Sequence, residues 1–202
     1  MKIVFFGDSI TDCGRDRSDI SSLGNGYVKV LADKLLPLYP DTDLELVNKG
    51  VSGDRVCDLL DRVDKDVIAL KPDACVIMIG INDALCVFSR NEKLDLEVLK
   101  DDLTKLLTKL KDAGIAVIFL EPFLLPAPDK LRVRRIFNGE LAVINETASA
   151  ICDEFVAYDE MFSGLVYSTP YTEYSADGVH PTHRGSRLIA NTAIKALRRH
   201  LL

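Results

Sequence analysis

A hydroxyl on a tight turn, an imidazole three residues behind a carboxylate and a carboxamide two residues after a glycine could together cleave an acyl bond. The hydroxyl belongs to Ser9 in Gly7-Asp8-Ser9-Ile10-Thr11, where the glycine permits a sharp turn and presents a candidate nucleophile. An isolated Gly-x-Ser is more often a helix cap. A serine hydroxyl is also too weakly nucleophilic alone, so the chemistry requires a base, a group to orient it and donors for the oxyanion. Only three histidines are available, His180, His183 and His200. His200 lies at the fraying end of the chain, and Pro181 and Thr182 place His183 at a helix start. His180 sits in Asp177-Gly178-Val179-His180-Pro181. That spacing can bring the Asp177 carboxylate to Nδ1 and leave Nε2 free to take a serine proton. Alone, the same segment is equally a capping loop with a solvent-facing histidine.

Two further segments can supply oxyanion donors. In Asn48-Lys49-Gly50-Val51-Ser52-Gly53-Asp54, Gly53 can offer its N–H with no side chain in the way. In Gly80-Ile81-Asn82-Asp83, the Asn82 amide can donate to a developing negative charge. Glycines after strands also serve ordinary turns, and Asn82 could be a cap. Other schemes fit less well. Thr11 stands where a Gly-x-Ser-x-Gly elbow needs its second glycine, and no Gly-x4-Gly-Lys-Ser/Thr loop is present for nucleotide phosphates. Asp8 as a phosphoryl acceptor would want a second acid where Ile10 stands. Cys13 is near enough to the serine in sequence to predict sensitivity to bulky thiol reagents, although such a cysteine is more often a small buried hydrophobe.

These segments need a scaffold that brings distant stretches together. Short apolar strands, predicted over Lys2–Phe6, Leu44–Asn48, Asp73–Ile79, Ile115–Leu120 and Phe155–Tyr158, alternate with segments of helical period. The third and fourth are almost continuously apolar, as central strands covered on both faces must be. Val56, Leu59, Leu60, Val63, Val67 and Leu70 keep helical spacing, as do Leu96, Leu99, Leu103, Leu106, Leu107 and Leu110 ahead of Gly114. Further helices are predicted from about Lys130 to Asp153 and from about Arg184 to His200. No linker or repeat divides the chain, so residues 1–202 read as one domain. The expected fold class is α/β, a three-layer α/β/α sandwich on a five-stranded parallel sheet, flavodoxin-like, with ligands outside the carboxyl ends of the strands.

Composition narrows the partners. With 48% apolar residues among 202, the chain can bury a continuous core. Its 25 basic and 31 acidic residues give a net charge of −6, which would repel a phosphate backbone, so nucleic acid is not expected. The longest apolar runs, such as Ala74–Ile79, fall far short of the roughly 20 residues of a membrane helix. The opening Met-Lys-Ile-Val-Phe-Phe-Gly leaves no room for a signal segment, and five scattered cysteines without a Cys-x-x-Cys pair suit free thiols, so a cytoplasmic address is expected. No metal or organic cofactor is implied. Leu124-Leu125-Pro126-Ala127-Pro128 reads as amphipathic surface that could pack against a second copy, leaving a homo-oligomer open, or could fold over the site.

Taken together, Gly7-Asp8-Ser9-Ile10-Thr11, Gly53, Gly80-Ile81-Asn82-Asp83 and Asp177-Gly178-Val179-His180-Pro181 resemble the four blocks of the SGNH (GDSL) hydrolases, in their usual order and across nearly the whole chain. The resemblance implies that Ser9 is the nucleophile and that Asp177 and His180 complete a triad. It also implies an oxyanion hole made of the Ser9 N–H, the Gly53 N–H and the Asn82 side chain. Asp12-Cys13-Gly14-Arg15, Asn48 to Gly53, Met78 to Asp83 and Glu121-Pro122-Phe123 are further similar to the bacterial intracellular branch that includes acetylxylan and oligosaccharide acetyl esterases. Members of that branch often place a tryptophan and an arginine just after the Asn-Asp pair. Here Ala84-Leu85-Cys86-Val87-Phe88 follows, and the chain has no tryptophan. The resemblance thus implies a serine esterase for short acyl, above all acetyl, esters of small molecules such as acetylated oligosaccharides. A lysophospholipase or thioesterase for longer chains, and a non-catalytic flavodoxin-like binding module, are the alternatives.

Overall fold

The computed structural model describes residues 1–200. Five parallel strands, β1 (Lys2–Gly7), β2 (Glu45–Gly50), β3 (Ala74–Met78), β4 (Ala116–Leu120) and β5 (Glu154–Val156), form one sheet in the order β2-β1-β3-β4-β5. The helices are α1 (Ser9–Asp12), α2 (Tyr27–Leu35), α3 (Val56–Asp66), α4 (Ile81–Ser89), α5 (Leu96–Asp112), α6 (Leu131–Ile151), α7 (Asp159–Val166) and α8 (His183–Leu197). The expected α/β sandwich with a five-stranded parallel sheet is what the chain forms.

The layers follow from the two-residue period of each strand. Ile3 and Phe5 of β1, Val76 and Met78 of β3 and Ile118 and Leu120 of β4 point to one face, where α2 (Tyr27, Leu31, Leu35) and α8 (Ile189, Ala190, Ala193) cover them. Val4, Phe6, Cys75, Ile77, Val117 and Phe119 point to the other, against α3 (Leu59, Val63) and α5 (Leu103, Leu106, Leu107, Leu110). Covering both faces is why β3 is buried at every residue and reads as an unbroken apolar run. Each such Leu or Phe contributes about 1.5–3 kcal/mol by leaving water. The registers Gly7↔Gly50 and Gly7↔Met78 align the carboxyl ends of β1, β2 and β3 at one rim.

Some expectations shift. The helix expected through Leu70 stops at Asp66; Ile68–Leu70 form a 3-10 turn closed by Lys71 in the left-handed region, just before Pro72. The last strand ends at Val156, because the Tyr158 and Asp159 N–H groups bond the buried Glu121 carboxylate instead of a strand neighbour. Helices α2, α4 and α7 were not anticipated. The buried Tyr27, Val28, Leu31 and Leu35 carry the helical period that could have revealed α2. In α4 the run Ala84-Leu85-Cys86-Val87-Phe88 is apolar all round, which erases that period. Leu124, Leu125 and Ala127 are each 1% exposed, so the segment expected as a surface for a neighbour is covered by its own chain. The Leu125 N–H bonds Gly178 O, and the Leu124 N–H bonds an Asp159 oxygen.

Candidate active site

Ser9 opens α1 directly after β1, where an α-helix leaves its first N–H groups without intrahelical partners. Asp8 caps that turn by accepting from the Ile10 N–H at 2.9 Å. Gly7 is obligatory here: a Cβ would collide with the Met78 carbonyl oxygen and with Thr11 Oγ1. The crowding holds the turn at the rim where the chain, having placed β2 on one side of β1, goes on to place β3 on the other. Ligands collect at such a switch point in open α/β sheets.

The His180 loop is built by its own hydrogen bonds. Ser175 and Pro181 form an isolated antiparallel bridge, and His180 O accepts from Ala176 N and Ser175 Oγ. Asp177 Oδ1 accepts from the Val179 and His180 N–H groups at 2.9 and 2.8 Å, which turns its Oδ2 to within 2.7 Å of His180 Nδ1. His180 Nε2 lies 2.9 Å from Ser9 Oγ, across 171 residues of sequence. The three side chains expected to work together therefore form one continuous chain of contacts. Burial alone would raise the Asp177 carboxyl, but the bonds from the His180 N–H, the His180 ring and the Val179 N–H outweigh it and hold it at about 2. Asp177 is thus an anion at neutral pH, able to orient the ring and to stabilise an imidazolium. The imidazole is 52% exposed, so the reacting rim is open to a bulky alcohol group.

The other two segments meet at the same rim. Asn82 lies in the first turn of α4, after Gly80 at φ +131°, and its Nδ2 donates one hydrogen to Asp54 O at 2.9 Å. That bond couples the carboxamide to the residue following Gly53 and leaves the second Nδ2 hydrogen for another acceptor. Gly53 has φ +91°, a value that favours glycine, and open space where a Cβ would stand.

His183 is the first residue of α8, and His200 Nε2 lies 3.7 Å from Glu154 Oε1 of β5; neither is bonded to Ser9. Cys13 takes a left-handed backbone (φ 39°), donates its N–H to Ser9 O and packs its thiol against Gly26, and burial raises that thiol.

Two side chains whose structural work the sequence did not disclose brace the site. Asn48 holds Thr11 O and Leu23 O through Nδ2 and accepts from the Gly50 N–H. Asp12 Oδ2 accepts from Ser52 N, Ser52 Oγ and Arg17. Beneath them lie carboxyls of another character. Burial raises Asp8 and Asp83 to about 7 each and pushes Glu140 of α6 well up, helped by the neighbouring Asp83. Among the described residues, Asp8 Oδ2 and both Glu140 oxygens have no hydrogen-bond partner. Burial makes each of these carboxyls hold its proton more tightly than an exposed carboxyl does.

Comparison with known proteins places this geometry in a wider context. Residues 5–188 match the model of the GDSL-like lipase/acylhydrolase family. The chain is 32% identical to an acetylxylan esterase of Geobacillus stearothermophilus over 97% of its own length and 93% of that enzyme's. The crystal structure of that esterase superposes with a TM-score of 0.83, covering 98% of this chain and 93% of the other at 32% identity. A candidate GDSL-like lipase of Parabacteroides merdae superposes with a TM-score of 0.89, covering 96% and 94% at 32% identity. Similar solved forms of the Geobacillus esterase include catalytic mutants in which a serine, an aspartate and, three residues beyond it, a histidine are each replaced by alanine.

Proposed function

Because this chain belongs to the GDSL-like lipase/acylhydrolase family and is a carboxylic ester hydrolase, we propose that it removes short acyl groups, chiefly acetyl, from carbohydrate hydroxyls through an acyl-enzyme on Ser9. His180 Nε2 takes the Ser9 proton as Oγ attacks the ester carbonyl. Asp177 holds the ring through Nδ1 and stabilises the imidazolium. The Ser9 and Gly53 N–H groups and the free Nδ2 hydrogen of Asn82 receive the charge that develops on the carbonyl oxygen. The imidazolium returns its proton to the departing alcohol, and the acetyl group remains on Ser9. A water molecule, deprotonated by the same imidazole, then releases acetate and restores the hydroxyl. The single observation carrying this reading is the unbroken contact chain from Ser9 Oγ through the ring to the Asp177 carboxylate, at 2.9 and 2.7 Å.

The 52% exposure of the imidazole supports a large alcohol portion, and the relative's activity on acetylxylan supports a sugar. How the sugar is held differs, however. The Geobacillus esterase carries a tryptophan immediately before its catalytic aspartate, whereas Ala176 precedes Asp177 here. Hydrogen-bonding groups around the rim, rather than an indole platform, must orient the alcohol.

The test is hydrolysis of acetylated xylo-oligosaccharides, p-nitrophenyl acetate, p-nitrophenyl octanoate and lysolipids by the wild type and by Ser9→Ala. Acetate release that disappears in Ser9→Ala is the expected result. A clear preference for octanoate or lysolipid would replace the acetylesterase reading with a long-chain one. Failure of a fluorophosphonate to label Ser9 in the wild type would favour a binding module.

A further inference from the structure

We propose that Arg62, on the buried side of α3, is the positioning residue that sets the oxyanion hole, by riveting the Gly53–Asp54 turn to the carboxyl ends of β1 and β2. The proposal rests on the hydrolase reading above and adds a residue to it.

The arrangement around this guanidinium is specific. Nε donates to Asp54 Oδ2 at 2.7 Å, Nη1 to Lys49 O at 2.8 Å and to Asp66 Oδ2 at 2.9 Å, and Nη2 to Gly7 O at 3.1 Å. Its carbon lies 4.3 Å above the centre of the Phe6 ring, and the side chain is only 17% exposed. One rigid planar fork therefore touches the residue two before Ser9, the penultimate residue of β2 and the residue directly after Gly53.

Each of these partners bears on an oxyanion donor. Gly7 O also accepts the Val51 N–H, so the Ser9 turn and the Gly50–Asp54 loop already share an atom at the point where Nη2 binds. Asp54 O is the acceptor for Asn82 Nδ2, so the position of Asp54 decides where the second Nδ2 hydrogen points. Gly53, with φ +91° and open space where a Cβ would stand, has no side chain of its own to anchor the turn. The turn is held from both sides of Gly53, by Asp12 on Ser52 and by Arg62 on Asp54. Burial pushes the Asp54 carboxyl up, and Arg62 is the largest influence opposing that rise. A lysine cannot replace it: a single ammonium cannot reach Gly7 O, Lys49 O and Asp54 from one stem in the fixed directions of a planar fork.

The test compares wild type, Arg62→Lys, Arg62→Gln and Asp54→Asn on p-nitrophenyl acetate and on its thionoester, in which sulfur replaces the carbonyl oxygen. The expected result is a fall in kcat on the order of tenfold to a hundredfold with KM little changed, because a donor displaced by a fraction of an ångström weakens the transition state and not the bound ester. The preference for oxygen over sulfur should narrow, as in Asn82→Ala. Arg62→Lys combined with Asn82→Ala should lose less than the product of the single losses. Asp54→Asn keeps the carbonyl that binds Asn82 and an oxygen for Nε, and should fall between wild type and Arg62→Lys even if Arg62→Gln folds poorly. An unchanged oxygen-to-sulfur preference, or losses that multiply, would overturn the proposal and leave Arg62 a packing residue. Amide hydrogen exchange across residues 50–55 gives a readout independent of activity. Faster exchange in Arg62→Lys is expected, and exchange equal to wild type would also overturn it. Full activity in Ser9→Ala would instead sink the reading of Ser9 as the nucleophile, whatever the exchange data show.

Discussion

The two sides of the reacting rim are held in opposite ways. On the serine side, Asp8 and Thr11 are fully buried, Gly7 has no space for a methyl group, and the turn is pressed between β3 and α1. On the histidine side, the ring and the Asp177 carboxylate are 52% and 45% exposed and are fixed by short-range hydrogen bonds within one loop. The difference teaches where precision comes from. The nucleophile inherits its place from the core, so its geometry is as stable as the sheet. The base is placed by a carboxylate whose pKa is held at about 2 by its bonds to the loop and the ring, so its geometry depends on electrostatics that water can reach.

Asp177→Asn should produce the largest effect that separates the two sides. It keeps an oxygen for the Val179 and His180 N–H groups but offers an NH2 to the ring, selecting the wrong tautomer. A loss in kcat on the order of 10⁴-fold, with melting temperature nearly unchanged, is expected from kinetics and calorimetry. A comparable fall in melting temperature would mean that the loop is held by more than this carboxylate. The pH profile sharpens the point. Because Asp177 stays ionised down to about 2, the acid limb of kcat/KM should carry no contribution from Asp177. A second ionisation from this carboxylate between about pH 4 and 6 would contradict that.

Asn82→Ala probes the serine side and should cost about 10²–10³-fold in kcat, with KM nearly constant and the fold intact. Activity equal to wild type would remove Asn82 from the oxyanion hole.

The smallest effect lies under the rim and concerns stability only. Burial raises Asp83 from 3.8 to about 7, so between those values the folded chain keeps a proton that the unfolded chain releases. Stability from this group is therefore greatest in acid and declines as pH rises through that window. Asp83→Asn removes the penalty, and Glu140→Gln should act in the same direction. Their melting temperatures should match wild type near about pH 4 and exceed it by several degrees near about pH 8. A gain independent of pH would show that packing, not ionisation, is responsible.

Much of this molecule was legible beforehand, for reasons that differ by element. The apolar run at residues 74–78 announces a doubly covered strand because burial on both faces leaves no polar position. Asp177 and His180 are readable because their contact spans three residues and a turn. By contrast, the period of α4 was hidden by its uniform apolarity, and the work of Arg62, Asn48 and Asp12 has no local signature. Arg62 meets Gly7 across 55 residues and Asp12 meets Ser52 across 40, and nothing in an arginine or an aspartate on a chain discloses which distant carbonyl or hydroxyl it will face.

Amino-acid order alone determined which side chains can perform the chemistry, how the strands alternate and which short segments pair within themselves, because periodicity and turn preference act over a few residues. Only the packed sheet decided that Ser9 Oγ and His180 Nε2 stand 2.9 Å apart, that Asp54 couples Asn82 to the turn carrying Gly53, and that burial raises the acids below. Those outcomes depend on distance through space and on exclusion of water, and both exist only once the layers have closed.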